Sequence, residues 1–213
     1  MIRVLIVDDH DLVRTGLRHI IDRAEDVDVV AEAGSGDEAL RRHRELTPDV
    51  VLMDISMPGM SGLEVTQRML RSDDSTRIII LTAHAQSPFP TRLLEAGAMG
   101  YLTKACAADE LLSAIRSVNE GRRYIGSEIA QQLALALLPG TEQSPFEELS
   151  SREMEVTLML TQGLNVADIA QTMSLSPKTV STYKYRIYEK LQIKNEVELT
   201  RLAMRHGLIE GDN

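Results

Sequence analysis

The chain has 213 residues, 43% of them hydrophobic and 26% charged, which is ordinary for a folded protein and long enough for one large domain or two small ones. A single cysteine, Cys106, excludes an internal disulfide, and the N-terminal run around Val4 to Val7 is far too short for a signal or transmembrane segment, so a reducing, cytoplasmic setting is expected with no membrane partner. The net charge of −9 argues against nucleic acid until its distribution is considered.

Strand-like stretches alternate with helix-like ones over the first 120 residues. Ile2 to Val7, Asp28 to Glu32, Val50 to Met53, Ile78 to Leu81 and Ala98 to Leu102 are short, and all but the last are rich in β-branched residues. Amphipathic segments carry Leu12, Leu17, Ile20 and Ile21, then Leu63, Met69 and Leu70, and finally Leu111, Leu112, Ile115 and Val118. The pattern predicts an α/β domain of five βα units around a parallel, flavodoxin-like sheet. A further helix is predicted at about 127–138, within a linker over 121–146 that includes LPGTEQSPFEE.

Beyond that linker, 147–213 reads as a small all-α unit with four helical stretches, Ser151 to Gln162, Val166 to Met173, Pro177 to Gln192 and Glu196 to His206. Ser150, with Glu153 three positions on, and Ser176, preceding Pro177, are expected N-caps.

Ligands of open parallel sheets bind beyond the carboxyl ends of the strands. Asp8 and Asp9, Asp54, Thr82 and Lys104 all fall there. Converging carboxylates need a cation, and oxygen ligands with open water positions suit Mg²⁺. His10 and His84 adjoin the cluster and are read as surface or steric residues, and Cys106 as a packed or surface residue.

VLIVDDH, VVLMDISMPGMSG, IIILTAH and GYLTK together resemble the receiver domain of two-component response regulators over about residues 1–120. The resemblance implies that Asp54 is the phosphoacceptor for a sensor histidine kinase. Asp9 would bind Mg²⁺ directly and Asp8 mainly through water, with the Ser56 carbonyl completing the protein's ligands. Thr82 and Lys104 would contact the phosphoryl oxygens, and Tyr101 would be the switch aromatic, turning inward as Thr82 moves. Many receivers have proline after the lysine, whereas this chain has Ala105, which leaves open whether that peptide is cis or trans.

Between Lys178 and Lys194 five basic residues face only Glu189. On a helical wheel Ser181, Thr182, Tyr185 and Glu189 lie near Lys178, while Val180, Ile187 and Leu191 lie opposite. With the preceding helix and the S-L-S-P turn this is a helix-turn-helix pattern whose second helix would enter the major groove. LSSREMEV, ADIAQTMSLSPKTV and YRIYEKLQI resemble the output domain of the NarL/FixJ (LuxR-type) family, and the whole chain is similar to its GacA/UvrY-type subfamily. Tyr183 stands where a histidine is common, and Val166 where many relatives are basic.

Position in that family implies base contacts for Ser181, Thr182 and Tyr185, and phosphate or groove-edge contacts for Lys178, Thr179, Lys184, Arg186 and Lys190. It also implies a homodimer on palindromic promoter DNA, with the last helix either in the dimer contact or packed on the bundle, and RNA polymerase as a downstream partner. The expected function is phosphorylation-activated regulation of transcription, of small regulatory RNA genes in particular, with no catalysis beyond the receiver's own phosphoryl transfer and dephosphorylation. Domain release and dimerisation are both open as the activating step. A Mg²⁺-dependent phosphatase would want a second acid where Ser56 stands, and a receiver with a protein-binding output would leave the basic helix a solvated face.

Overall fold

A computed structural model describes residues 1–55, 57, 60, 62–82, 90–136, 144–173, 175–206 and 208–209, with backbone alone at 90–92, 136 and 151. The chain forms two compact units that divide near Leu135 and Ala136.

In the first unit strands and helices alternate: β1 (Ile2–Val7), α1 (Asp11–Ile21), β2 (Val27–Ala33), α2 (Gly36–Leu46), β3 (Val50–Asp54), α3 (Gly62–Ser72), β4 (Arg77–Thr82), α4 (Pro90–Glu95), β5 (Gly100–Thr103), α5 (Ala108–Asn119), β6 (Tyr124–Ile125) and α6 (Ser127–Ala136). All strand pairings are parallel, in the order β2-β1-β3-β4-β5-β6. The central strands are continuous Val, Ile and Leu runs because both faces are covered. Val4, Ile6, Leu52, Ile79 and Leu81 pack against Leu17 and Ile21 of α1 and Leu111, Ile115 and Val118 of α5. The alternating residues Leu5, Val51, Met53, Ile78 and Ile80 are buried on the opposite face.

The sheet has six strands, where the sequence pattern predicts five. The added strand lies inside the stretch expected to be linker. Tyr124 and Ile125 pair with Gly100 and Tyr101, and the Gly126 amide donates to the Tyr101 carbonyl at 2.8 Å. Its backbone bonds cover what would be the free edge of β5. The helix predicted after it is present as α6, and residues 137–143 of the expected linker lie outside the described residues.

In the second unit a 3₁₀ turn (Pro145–Glu148) precedes α7 (Ser151–Thr161), α8 (Val166–Thr172), α9 (Pro177–Leu191) and α10 (Glu196–Arg205). Ser150 forms a complete capping box with Glu153, and the Ser176 side chain accepts from the Thr179 amide, as predicted. Asn165 and Asn195 cap α8 and α10 in the same way. Each cap satisfies helix-start amides that would otherwise lack a partner. The turn before α7 is no spacer: Phe146 is fully buried, edge-on to the His206 ring with centroids 6.0 Å apart.

Candidate functional site

The order β2-β1-β3 makes a topological switch point between β1 and β3, and two buried acids flank it. Asp8 follows β1 and is 0% exposed, and Asp54 ends β3 and is 1% exposed. Desolvated carboxylates this close require a counter-charge. Lys104, just beyond β5, supplies one: its Nζ lies 2.8 Å from Asp8 Oδ2 and 2.9 Å from Asp54 Oδ2. Burial works against the Lys104 ammonium, but the Asp54 charge and hydrogen bonds to Asp8 and Asp54 outweigh it and raise its pKa above the ordinary lysine value. The Lys104 amide donates to the Thr82 carbonyl at 2.7 Å, and the Lys104–Ala105 peptide is trans.

Thr82 ends β4 and is buried. Tyr101, the aromatic expected to turn inward, is also fully buried in β5. Asp9 is partly exposed, and the His10 ring reaches it, with Nδ1 3.1 Å from Asp9 Oδ1 and 3.3 Å from Asp8 Oδ1. The expected surface role of His10 therefore includes contact with both acids. Ser56 and His84 lie outside the described residues.

One ligand atom each from Asp8, Asp9, His10 and Asp54 lie within 4.8 Å of one another. Oxygen donors predominate, and two of the acids are buried, which fits a hard dication such as Mg²⁺.

Gly62 is the first residue of α3, and nothing in the local sequence pattern marks it as part of the site. A Cβ there would lie 1.9 Å from the Asp54 carbonyl oxygen and 2.8 Å from the Ile55 Cα. The Gly62 amide donates to the Ile55 carbonyl at 3.1 Å, tying α3 to the end of β3. Because the overlap is with backbone, Gly62→Ala is expected to displace Asp54 and to cost about 3 kcal/mol, measured by denaturant unfolding. Phosphoryl uptake should fall with it.

The helix α9 buries Val180, Ile187 and Leu191 and turns Lys178, Ser181, Thr182, Tyr185 and Arg186 outward, Tyr185 being 69% exposed. This is the predicted division of faces. The Thr179 hydroxyl is engaged at the cap, 2.8 Å from Ser176 Oγ.

Two of the basic residues are held inside the unit. Lys184 pairs with Glu196 of α10 and lies 5.6 Å from the centre of the Tyr188 ring. Lys190 donates to Glu153 at 2.7 Å and to the Glu148 carbonyl at 3.1 Å. Burial opposes the Glu153 charge, but hydrogen bonds from Lys190 and Ser150 prevail and hold its carboxyl below the usual range. Lys190 thus ties α9 to the start of α7, a role the helical wheel does not reveal. Arg186→Ala should weaken binding to all DNA sequences and reduce the salt slope by about 1, whereas Lys190→Ala should chiefly lower unfolding stability, by about 1 kcal/mol. Salt-series binding and thermal unfolding of both variants check the contrast.

Residues 4–116 match the response regulator receiver domain, and residues 147–203 match the bacterial regulatory proteins of the luxR family. Response regulator GacA of Pseudomonas viridiflava is 51% identical over 211 residues, 99% of each chain. Response regulator UvrY of Escherichia coli (strain K12) is 50% identical over 213 residues, 100% of this chain and 98% of its own. A solved structure of RcsB from Salmonella enterica serovar Typhimurium, bound to promoter rprA in the presence of the phosphomimetic BeF3−, is 26% identical with a TM-score of 0.76, covering 95% of this chain and 98% of that one. The chain belongs to the LuxR-family response regulators, as a GacA/UvrY-like member with a receiver domain and a LuxR-type DNA-binding domain.

Proposed function

We propose that Asp54 accepts a phosphoryl group from a sensor histidine kinase and that this controls promoter binding through α9. The observation that carries the reading is the buried Asp54 carboxylate at the switch point, held with Asp8 by one lysine. An Asp54 oxygen forms the new bond to phosphorus while the P–N bond of the donor phosphohistidine breaks. Its electron pair goes to the departing imidazole, which takes up a proton. Lys104 follows the phosphoryl oxygens in this reading, and Thr82 donates to one of them. Asp8 and Asp9, with Asp54 and the Ser56 carbonyl, would hold Mg²⁺, which when bound offsets charge on the phosphoryl group.

A charge-assisted hydrogen bond contributes about 1.5–3 kcal/mol. Moving a population from 1:99 to 99:1 takes about 5.5 kcal/mol. Thr82 alone therefore does not throw the switch, and Tyr101 buried in this structure accords with an active-like state already populated. Lys104, metal and dimerisation supply the remainder.

On DNA, Ser181, Thr182 and Tyr185 would read base edges. Lys178, Thr179 and Arg186 would take phosphates, joined by Lys184 and Lys190 if their internal pairs open. A homodimer on a palindromic promoter, contact with RNA polymerase and small regulatory RNA genes as targets complete the reading, in the cytoplasm. No helix among the described residues is long and apolar enough to cross a membrane.

Phosphorylation by acetyl phosphate followed by borohydride trapping tests the site. The trapped residue is expected to be Asp54, and trapping elsewhere refutes the assignment.

A further inference from the structure

The pairing of β2 with β1, the strand that leads to the acidic cluster, is irregular. Val4 pairs with Val29 and Leu5 with Ala31, so Val30 has no partner in β1. Such a bulge re-aims the side chains beyond it. Here Ile6 comes to pair with Glu32, which therefore shares the face of Ile6, the one covered by α1. Glu32 meets two arginines of that helix, with Arg18 Nε 2.5 Å from Oε1 and Arg14 Nε 3.5 Å from Oε2.

Arg14 is only 15% exposed and spends each arm differently. One arm pairs with Asp11 in the first turn of α1. The other, Nη1, donates to the backbone carbonyl of Asp8 at 2.6 Å. That carbonyl lies beyond the last β1–β2 pair, Val7 with Ala33, where the ladder of the sheet ends. Asp8 is thus held at its amide by the Ala33 carbonyl at 3.1 Å, at its carbonyl by Arg14, and at its carboxylate by the His10 amide at 2.9 Å and by Lys104. Asp11 and Glu32 offset the guanidinium charge, so Arg14 can fix the Asp8 backbone without acting as a second counter-cation for the acids.

We infer that Arg14 is a positioning residue for divalent-cation binding, acting through the Asp8 backbone and itself held by Glu32. The inference rests on the reading of the acidic cluster as the Mg²⁺ and phosphoacceptor site. A surface pair such as Arg14 with Asp11 would matter little alone. Groups that orient metal ligands matter more: removing one typically lowers metal affinity about 10–100-fold.

The test uses the full chain as wild type, Arg14→Met, Arg14→Lys and Glu32→Gln. Mg²⁺ dissociation constants come from the amide shifts of Asp8 and Asp9, and acetyl phosphate phosphorylation is followed as a function of Mg²⁺. Arg14→Met is expected to raise the dissociation constant about tenfold, at the lower end of that range because it acts through backbone. The loss should fall on the Mg²⁺ half-saturation rather than on the rate at saturation. Glu32→Gln should shift affinity in the same direction by less, and Arg14→Lys, which keeps a charged donor, should recover part of it. If Arg14→Met does not fold, Glu32→Gln and Arg14→Lys decide by the same measure. Wild-type Mg²⁺ affinity in the folded variants overturns the inference. Absence of Mg²⁺ binding by the wild type overturns both the inference and the reading of the site beneath it.

Discussion

Asp54→Asn is expected to lower phosphoryl uptake from acetyl phosphate by about 10³-fold or more, because the amide oxygen is a poor nucleophile and no second acid among the described residues is free to replace it. Asp8 is buried beside it but engaged by Lys104 and the His10 amide, and Asp9 is partly exposed and contacts His10. The variant should fold, since the substitution removes one charge from a buried cluster and leaves Lys104 paired with Asp8. Uptake measured with labelled phosphate, together with the thermal unfolding midpoint, separates loss of chemistry from loss of structure. Labelling at a rate near wild type would move the phosphoacceptor to another residue.

Lys104→Met has the second largest expected effect, and its size depends on the cation. In chelator, the variant leaves Asp8 and Asp54 buried without their shared ammonium, and breaking a buried pair in this way costs about 3–5 kcal/mol. Addition of Mg²⁺ to a hundred times its dissociation constant should return about 2.7 kcal/mol by mass action. The variant should bind Mg²⁺ more tightly than wild type, because the ammonium no longer competes for the same oxygens. Denaturant unfolding with and without Mg²⁺ checks both points. Wild-type stability in chelator would show that Lys104 does not offset these charges. Phosphorylation of the metal-loaded variant should still be impaired, because the ammonium proposed to follow the phosphoryl oxygens is gone.

Most of the acidic site was legible in the sequence. Asp8, Asp54, Thr82 and Lys104 each follow or end a short apolar run, and the parallel topology brings such ends to one edge. The faces of α9 were legible for a similar reason, since a period of 3.6 residues fixes which side chains point inward. Ser150 and Ser176 announced their helices, because capping is a local property.

What escaped the pattern depended on distant partners. The strand β6 is only two residues long and follows Gly121, Arg122 and Arg123, too short a run to show alternation. Its existence rests on the edge of β5. Lys190 lies on the flank of the α9 wheel, which says nothing of Glu153, its partner thirty-seven positions earlier in the chain. Gly62 looks like any glycine at a helix start until the Asp54 carbonyl is placed against it. Arg14 and Glu32 come together through a skipped residue in β2, and no periodicity announces such a bulge.

The central claim is that modification of Asp54 governs what α9 does on DNA. Genome-wide binding by wild type and Asp54→Ala, compared at equal protein levels under activating conditions, tests it most directly. Wild type is expected to occupy a discrete set of promoters through a palindromic site, and Asp54→Ala to lose that occupancy while retaining only weak, sequence-independent association. Equal occupancy of the same promoters by Asp54→Ala would contradict the claim.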